Sequence, residues 1–502
     1  MTTSFLPQLS RKARHRSTIR LSIAWLAWAY PAMLMTAAPV YFPDRQYHSA
    51  FGNDGKLKNE KLPSCVEHDS RGFDLLFVEF DERGDFWDRD QLADGSRAIK
   101  GQASNGKQIL LIEYVHGWHN NALDNDPGRD VDRFRQLLSV VARSELVKKL
   151  NYRVVGAYLG WRGEMFRNNS NPLTFAFWIP HTTSFYPEKH IGTEIGSLPM
   201  ITEAIFWLVH EARHNSPAAR TILIGHSFGA MVLENAIAQA VASSVAGTPY
   251  EGKGAATSSV YTPADLVLLL NSAADSMRAK GLEEMLSRMG SSASRFINAD
   301  RPLVISITST GDSATGTFFP IGTGLANLGR GFRSYKRLNF RQLPEQVSQR
   351  YFLTHTPGHN DYLFSHTVSV DNNQIVPSIA AQLPVSSEPL PARFARIFDE
   401  NISQPIPSEG KGKDRVWRFR SVGKQGVCWS TIRPVNYHSD KIVYNKTAYW
   451  IVEVPPEIIK DHGDIFNQQA LCLYAALFRI DNPLKATAVE IPQGPRLMQL
   501  QR

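Results

Sequence analysis

Cysteine is scarce in this chain. The 502 residues include three, Cys65, Cys428 and Cys472, far apart and without C-x-x-C spacing. That excludes a disulfide framework, a zinc ribbon and a thioredoxin-type motif, and leaves room for one bridge at most. Acidic residues are missing from the N-terminus. None precedes Asp44, whereas Arg11, Lys12, Arg14, Arg16 and Arg20 supply five of the eight net positive charges. The rest of the chain is therefore nearly balanced. It lacks the basic face that a nucleic-acid partner requires. Neither an internal repeat nor a low-complexity tract is present, so repeat architectures are excluded. Glycine and proline are at ordinary levels, 34 and 29 residues, which removes collagen-like and proline-rich disordered classes. The length supports a core without staples. It fits two to four domains, or one large α/β domain with insertions.

The N-terminus does contain a run without charge, LSIAWLAWAYPAMLMTAAPVYFP, from Leu21 to Pro43. About 20 apolar residues span a bilayer core, and the basic arm at 1–20 would stay cytoplasmic and send the remainder outward. Residues 21–42 are read either as an uncleaved transmembrane anchor, an N-terminal apolar helix, or as a cleaved signal peptide. Pro39 directly after Ala38 makes a poor cleavage signal. Either reading puts the body at the membrane or exported, on the extracytoplasmic side. Residues 43–70, rich in Pro, Asn, Gly, Lys and Ser, read as a linker.

Beyond this point short apolar runs alternate with amphipathic stretches. Strands are expected at 73–80, 107–115, 153–161, 219–225, 265–273, 302–310 and 447–455. Helices are expected at 130–150, 198–214, 231–244, 282–289 and 464–478. Such alternation predicts an α/β fold, a mostly parallel sheet with helices on both faces. Two stretches break it. Residues 165–195 are aromatic-rich. Residues 313–445 are long and irregular and read as an inserted cap or lid. The core is then 71–312 plus a last strand and helix at 446–485, with a tail at 486–502.

Gly225-His226-Ser227-Phe228-Gly229 follows the ILIG strand and opens the AMVLENA helix. This is G-x-S-x-G in a strand–turn–helix setting. A sharp turn lifts the Ser227 hydroxyl clear of the sheet with a strained backbone. Gly225 and Gly229 are needed where strand and helix backbones nearly touch. The helix N-terminus favours developing negative charge. His226 reads as a supporting residue. The earlier strand ILLIEYV ends at His116-Gly117-Trp118-His119. Two histidines three apart on a loop offer two metal ligands without a third, so no metal is expected.

The HGW loop, the GHSFG turn and the chain order Ser…Asp…His resemble the α/β-hydrolase superfamily of serine esterases and lipases. The segment VHGWHNNA is similar to that of uncharacterised bacterial members. The likeness covers roughly 73–312 and 445–480. It implies an α/β-hydrolase fold with an oxyanion hole from the backbone N–H of Phe228 and of Trp118, with Gly117 in reserve. It implies an acid after the second strand beyond the nucleophile, which is Asp312, with Asp275 as the alternative. It implies a base after the last strand, which is His462. If 313–440 supply the last strand instead, the base is His359, with His366 a further candidate among His355, His359 and His366. Ser227 needs a base to take its proton, His462 would take it, and Asp312 would hold one tautomer.

The expected activity is hydrolysis of carboxylic, possibly lipid, esters through an acyl-enzyme, without a cofactor. The alternatives are an acyltransferase on the same fold and a non-catalytic hydrolase-fold binding protein. The aromatic segment 165–195 reads either as an acyl pocket or lid or as surface packing. Arg162 reads as a core ion pair or a site residue. The expected partners are a small-molecule or lipid ester and, through 21–42, a membrane.

Overall fold

The computed structural model describes residues 40–41, 44–118, 120–123, 129–163, 166–167, 199–246, 263–289, 302–327, 329–338, 344–375, 390–403, 408–409, 416–423, 426–435 and 449–478. The anchor or signal expected at 21–42 therefore lies outside the described residues, apart from Val40 and Tyr41.

Strands in chain order are β1 (Val40–Tyr41), β2 (Val66–Asp69), β3 (Phe73–Glu79), β4 (Gln108–Val115), β5 (Tyr152–Gly160), β6 (Phe166–Arg167), β7 (Arg220–His226), β8 (Leu266–Leu270), β9 (Val304–Ser309), β10 (Ser334–Leu338), β11 (Pro344–Ser348), β12 (His366–Ile375), β13 (Ser408–Glu409), β14 (Val416–Gly423), β15 (Gly426–Pro434) and β16 (Tyr449–Val454). One large mixed sheet runs β13-β14-β15-β12-β16-β9-β8-β7-β4-β5-β3-β2. From β12 to β3 every neighbouring pair is parallel. Antiparallel strands close both edges. The central strands RTILIGH and LVLLL are buried at every position, as parallel strands covered on both faces must be.

Alternate side chains enter two separate cores. Leu110, Ile112, Tyr114, Ile222, Ile224, Leu268 and Ile307 face the helices Asp130–Arg143, Leu390–Ser403 and Gln468–Phe478. Ile109, Leu111, Leu223, Val267 and Leu269 face the helices Asp90–Ser104, Pro199–Asn215, Phe228–Ala246 and Ser276–Met289. Helices thus cover both faces, as the alternation implied.

Two expected segments differ. Residues 44–70 are not a free linker. Val66–Asp69 pairs antiparallel with β3 as the edge strand, and His48, Ala50 and Cys65 are buried. His48 stacks on Phe77 at 3.6 Å and bonds Glu79 Oε1 at 2.6 Å. The segment is polar because most of it is surface, and its few apolar residues dock. Within 313–445, Ser334–Leu338 and Pro344–Ser348 pair as a two-stranded sheet of their own, whereas the part after His366 is continuous with the core. β12, β14 and β15 extend the main sheet past β16. Phe394, Ile397, Phe398, Trp417, Phe419 and Ile432 join the same core as Leu110 and Ile222.

β16 lies between β9 and β12, so the chain leaves after β9 and returns to pair with it in register, Val454 opposite Ser309. The carboxyl ends of β7, β8, β9 and β16 therefore sit side by side. In open parallel sheets ligands bind outside these ends.

Candidate functional site

Ser227 stands at the junction of β7 and the helix Phe228–Ala246 with φ 55°. A left-handed backbone is uncommon for any residue but glycine and costs on the order of 1–3 kcal/mol, held only by its surroundings. Here the Ser227 N–H donates to Leu270 O at 2.9 Å and its carbonyl accepts from Ala273 N at 3.1 Å. The two glycines are steric necessities. A Cβ on Gly229 would lie 2.1 Å from Val115 O and 2.4 Å from His116 O. One on Gly225 would lie 2.7 Å from Gly229 O and from Ala230 Cα.

The loop after β16 brings His462 to this turn. Its Nε2 lies 2.9 Å from Ser227 Oγ, and its Nδ1 lies 2.8 Å from Asp312 Oδ2. With Nδ1–H donated to the carboxylate, Nε2 is the acceptor facing the hydroxyl. Asp312, at the end of β9, is 1% exposed. Its Oδ1 accepts Thr315 N–H at 3.1 Å and its Oδ2 accepts the Thr315 hydroxyl. Burial pushes the Asp312 carboxyl up, but the His462 charge and the hydrogen bonds from His462 and Thr315 outweigh it. The carboxyl stays below its ordinary range. The expected residues Ser227, Asp312 and His462 thus form one hydrogen-bonded chain.

The loop His116–Trp118 borders Ser227 on the other side. A Cβ on Gly117 would lie 2.7 Å from Ser227 Cβ, so glycine lets this backbone reach the hydroxyl. His116 is fully buried and fixed in one tautomer. Nδ1–H donates to Gly117 O at 2.9 Å, and Nε2 accepts Trp161 N–H at 3.0 Å. Trp161 Nε1–H returns a bond to His116 O at 3.0 Å, and the two rings stack at 5.4 Å. Burial lowers the His116 pKa to about 4, so it stays neutral. Phe228 begins the helix, and its ring lies 6.3 Å from that of Trp118.

Beside His226, expected as a supporting residue, several residues that hold the site left no mark in the sequence. Asn271, directly after β8, has φ 45° and is fully buried. Its Nδ2 donates to His462 O at 2.9 Å and Asp461 O at 3.2 Å, and its Oδ1 accepts Ser309 N–H at 3.0 Å. His226 Nε2–H donates to the same His462 carbonyl at 2.8 Å. Ser309 Oγ donates to Ile459 O, and a Cβ on Gly311 would lie 2.3 Å from Lys460 O. An asparagine after a buried strand reads as a turn residue. Only the returning loop gives its amide N–H groups partners.

The alternatives have other partners. Asp275 pairs with Arg278 at 3.3 Å. His366 stacks on Trp450 at 4.2 Å and bonds Ser365 Oγ at 2.8 Å. His355 bonds Tyr351 O at 2.9 Å. His359 packs against Gly316 and lies close enough to Asp312 and His462 to interact with both electrostatically. Its distance in sequence from β16 explains the mismatch: the last parallel strand beside β9 is 449–454, and the loop after that strand carries the imidazole. Arg162 forms an ion pair with Glu82. His119 and the aromatic segment lie outside the described residues, save for Phe166 and Arg167 at β6.

Among the described residues no group of three His, Cys, Asp or Glu could hold a metal ion, and no helix is long and apolar enough to cross a membrane. All three cysteines are buried thiols. No protein-family model, curated protein or solved structure matches this chain.

Proposed function

We propose that this protein is a serine hydrolase of the α/β-hydrolase type that cleaves carboxylic esters through an acyl-enzyme intermediate. The observation that carries the reading is the 2.9 Å contact between His462 Nε2 and Ser227 Oγ, backed by Asp312 on Nδ1 at 2.8 Å. The strand order gives further support, with serine after β7, acid after β9 and imidazole after β16.

His462 Nε2 takes the Ser227 proton as Oγ attacks the ester carbonyl. Asp312 keeps the ring in the Nδ1–H tautomer and stabilises the imidazolium. The carbonyl oxygen gains negative charge and is met by the backbone N–H groups of Phe228 and Trp118. The imidazolium gives its proton to the leaving alcohol. Water, deprotonated by the same imidazole, then releases the acid and restores Ser227. Lipid esters at a membrane surface are the proposed substrates, on the strength of the apolar run at 21–42.

A fluorophosphonate probe tests this. Labelling of one serine in the wild type, absent in Ser227→Ala, is the expected result. A folded wild type that resists the probe sinks the reading.

A further inference from the structure

We propose that His226 and Asn271 are positioning residues of this site: two side-chain N–H groups that grip the main-chain carbonyl of His462 and thereby fix where its imidazole stands. The inference rests on the reading of Ser227, His462 and Asp312 given above, and it adds two residues to that site.

His462 sits on an irregular loop, with its side chain 26% exposed. The ring's own contacts, to Ser227 and Asp312, do not fix the backbone that carries it. The carbonyl of His462 does that. A backbone carbonyl has two lone pairs, and here both are used, by His226 Nε2–H at 2.8 Å and Asn271 Nδ2–H at 2.9 Å. The donors come from the ends of two adjacent strands, β7 and β8. Asn271 also holds Asp461 O at 3.2 Å and takes Ser309 N–H from the third strand end at 3.0 Å. Three strand ends therefore converge on one loop peptide.

Both donors are built at a cost. Asn271 adopts a left-handed backbone, φ 45°, which asparagine tolerates better than most residues. His226 is buried with Nδ1 lacking a hydrogen-bond partner among the described residues, which costs stability. Burial and the neighbouring His462 lower its pKa to about 4. It therefore stays neutral, and its one proton is on Nε2, facing the carbonyl. A histidine that merely filled space would not need a single tautomer.

Displacing a reacting group by about 1 Å can cost on the order of 100-fold in rate. The test compares the wild type with His226→Phe, His226→Gln and Asn271→Gly. Glycine accepts φ 45° without strain and so isolates the side chain. For each variant three things are measured: thermal unfolding, kcat and KM on a p-nitrophenyl ester, and the downfield Nδ1–H proton of His462 by NMR, assigned by its loss in His462→Gln. Folded His226→Phe and Asn271→Gly are expected to lose roughly 10- to 100-fold in kcat, with KM within about twofold, and to shift or broaden that proton. His226→Gln, whose amide restores an N–H donor, is expected to recover most of kcat and the signal. A kcat unchanged in both disruptive variants, a loss confined to KM, or a glutamine variant as impaired as phenylalanine overturns the clamp. If His226→Phe does not fold, Asn271→Gly and His226→Gln decide. The NMR proton separates the two claims. A wild type that shows it yet neither hydrolyses esters nor takes up phosphonate fails the functional reading. An unmoved proton in Asn271→Gly fails the clamp, whatever the activity.

Discussion

The Oγ of Ser227 and the Nε2 of His462 lie 2.9 Å apart although 235 residues separate them in the chain. The contact exists because β16 returns to pair with β9 and delivers its following loop to the end of β7. On the proposed reading, removing either partner removes the nucleophile–base pair. Ser227→Ala and His462→Gln are expected to fold normally and to lose on the order of 10⁴-fold or more in kcat, since members of such a unit act together. Ester hydrolysis and probe labelling, with unfolding curves as controls, check this. Retention of more than a tenth of the activity in either variant contradicts it.

Asp312→Asn keeps the shape but presents an amide where His462 Nδ1–H needs an acceptor. The wrong tautomer then faces Ser227, and kcat is expected to fall by about 10⁴. KM for a small ester should stay close to that of the wild type, because Asp312 is buried behind the imidazole. A modest loss of tenfold or less would assign the acid role elsewhere.

Thr315→Val deletes the hydroxyl bonded to Asp312 Oδ2. The Asp312 carboxyl is held below its ordinary value of 3.8, so its contribution to stability is present above that pH and lost as pH falls through the lower folded value. The variant is expected to cost about 1–2 kcal/mol at neutral pH, and less below about pH 4. Denaturant titrations at the two pH values measure the difference. An equal cost at both would mean that the threonine acts through packing alone.

Glu113 lies on β4 between Ala157 and Leu223, fully buried, with neither carboxylate oxygen hydrogen-bonded among the described residues. Burial pushes its carboxyl well above the ordinary 4.5. The folded state keeps a proton that the unfolded chain releases, so stability declines as pH rises above that value. Glu234 and Glu283, both pushed up to about 8 by burial, add to the same slope. Glu113→Met is expected to stabilise the fold by about 1–3 kcal/mol at neutral pH, with a smaller gain near pH 5. Urea titrations at pH 5 and 7.5 test it. Destabilisation, or a gain that does not change with pH, would show that the carboxyl has another task.

Gly229→Ala places a methyl group 2.1 Å from Val115 O. Strand backbone cannot yield as a side chain would, so a loss at or above the ~3 kcal/mol upper range of overpacking is expected. A soluble Gly229→Ala protein with wild-type unfolding would contradict the close approach of β4 and the helix Phe228–Ala246.

Much of the fold was legible because the central strands are apolar at every position, and a run such as LVLLL has one reading once helical stretches flank it. The helix Asp90–Ser104 was not. Its two glycines and low hydropathy resemble a loop, and only packing explains Gly95, where a Cβ would crowd Leu76 at 3.2 Å. The helix expected at 130–150 is broken at Ser144, whose extended ψ of 133° separates two helices. β12, β14 and β15 were hidden because strands in which buried and polar residues alternate lack an unbroken apolar run.

The sequence by itself determined the turn. Glycine on both sides of Ser227, between a buried strand and a helix, admits one local geometry, since any side chain there meets backbone. The order of strands and helices followed from periodicity for the same local reason. What only the tertiary structure decided was which imidazole reaches that serine, and what holds it. His355, His359, His366 and His462 are equal as residues. The choice depends on which strand lies beside β9, a pairing made across about 140 residues that no local pattern encodes. The anchors His226, Asn271 and Ser309 became functional only when the returning loop placed its carbonyls within their reach.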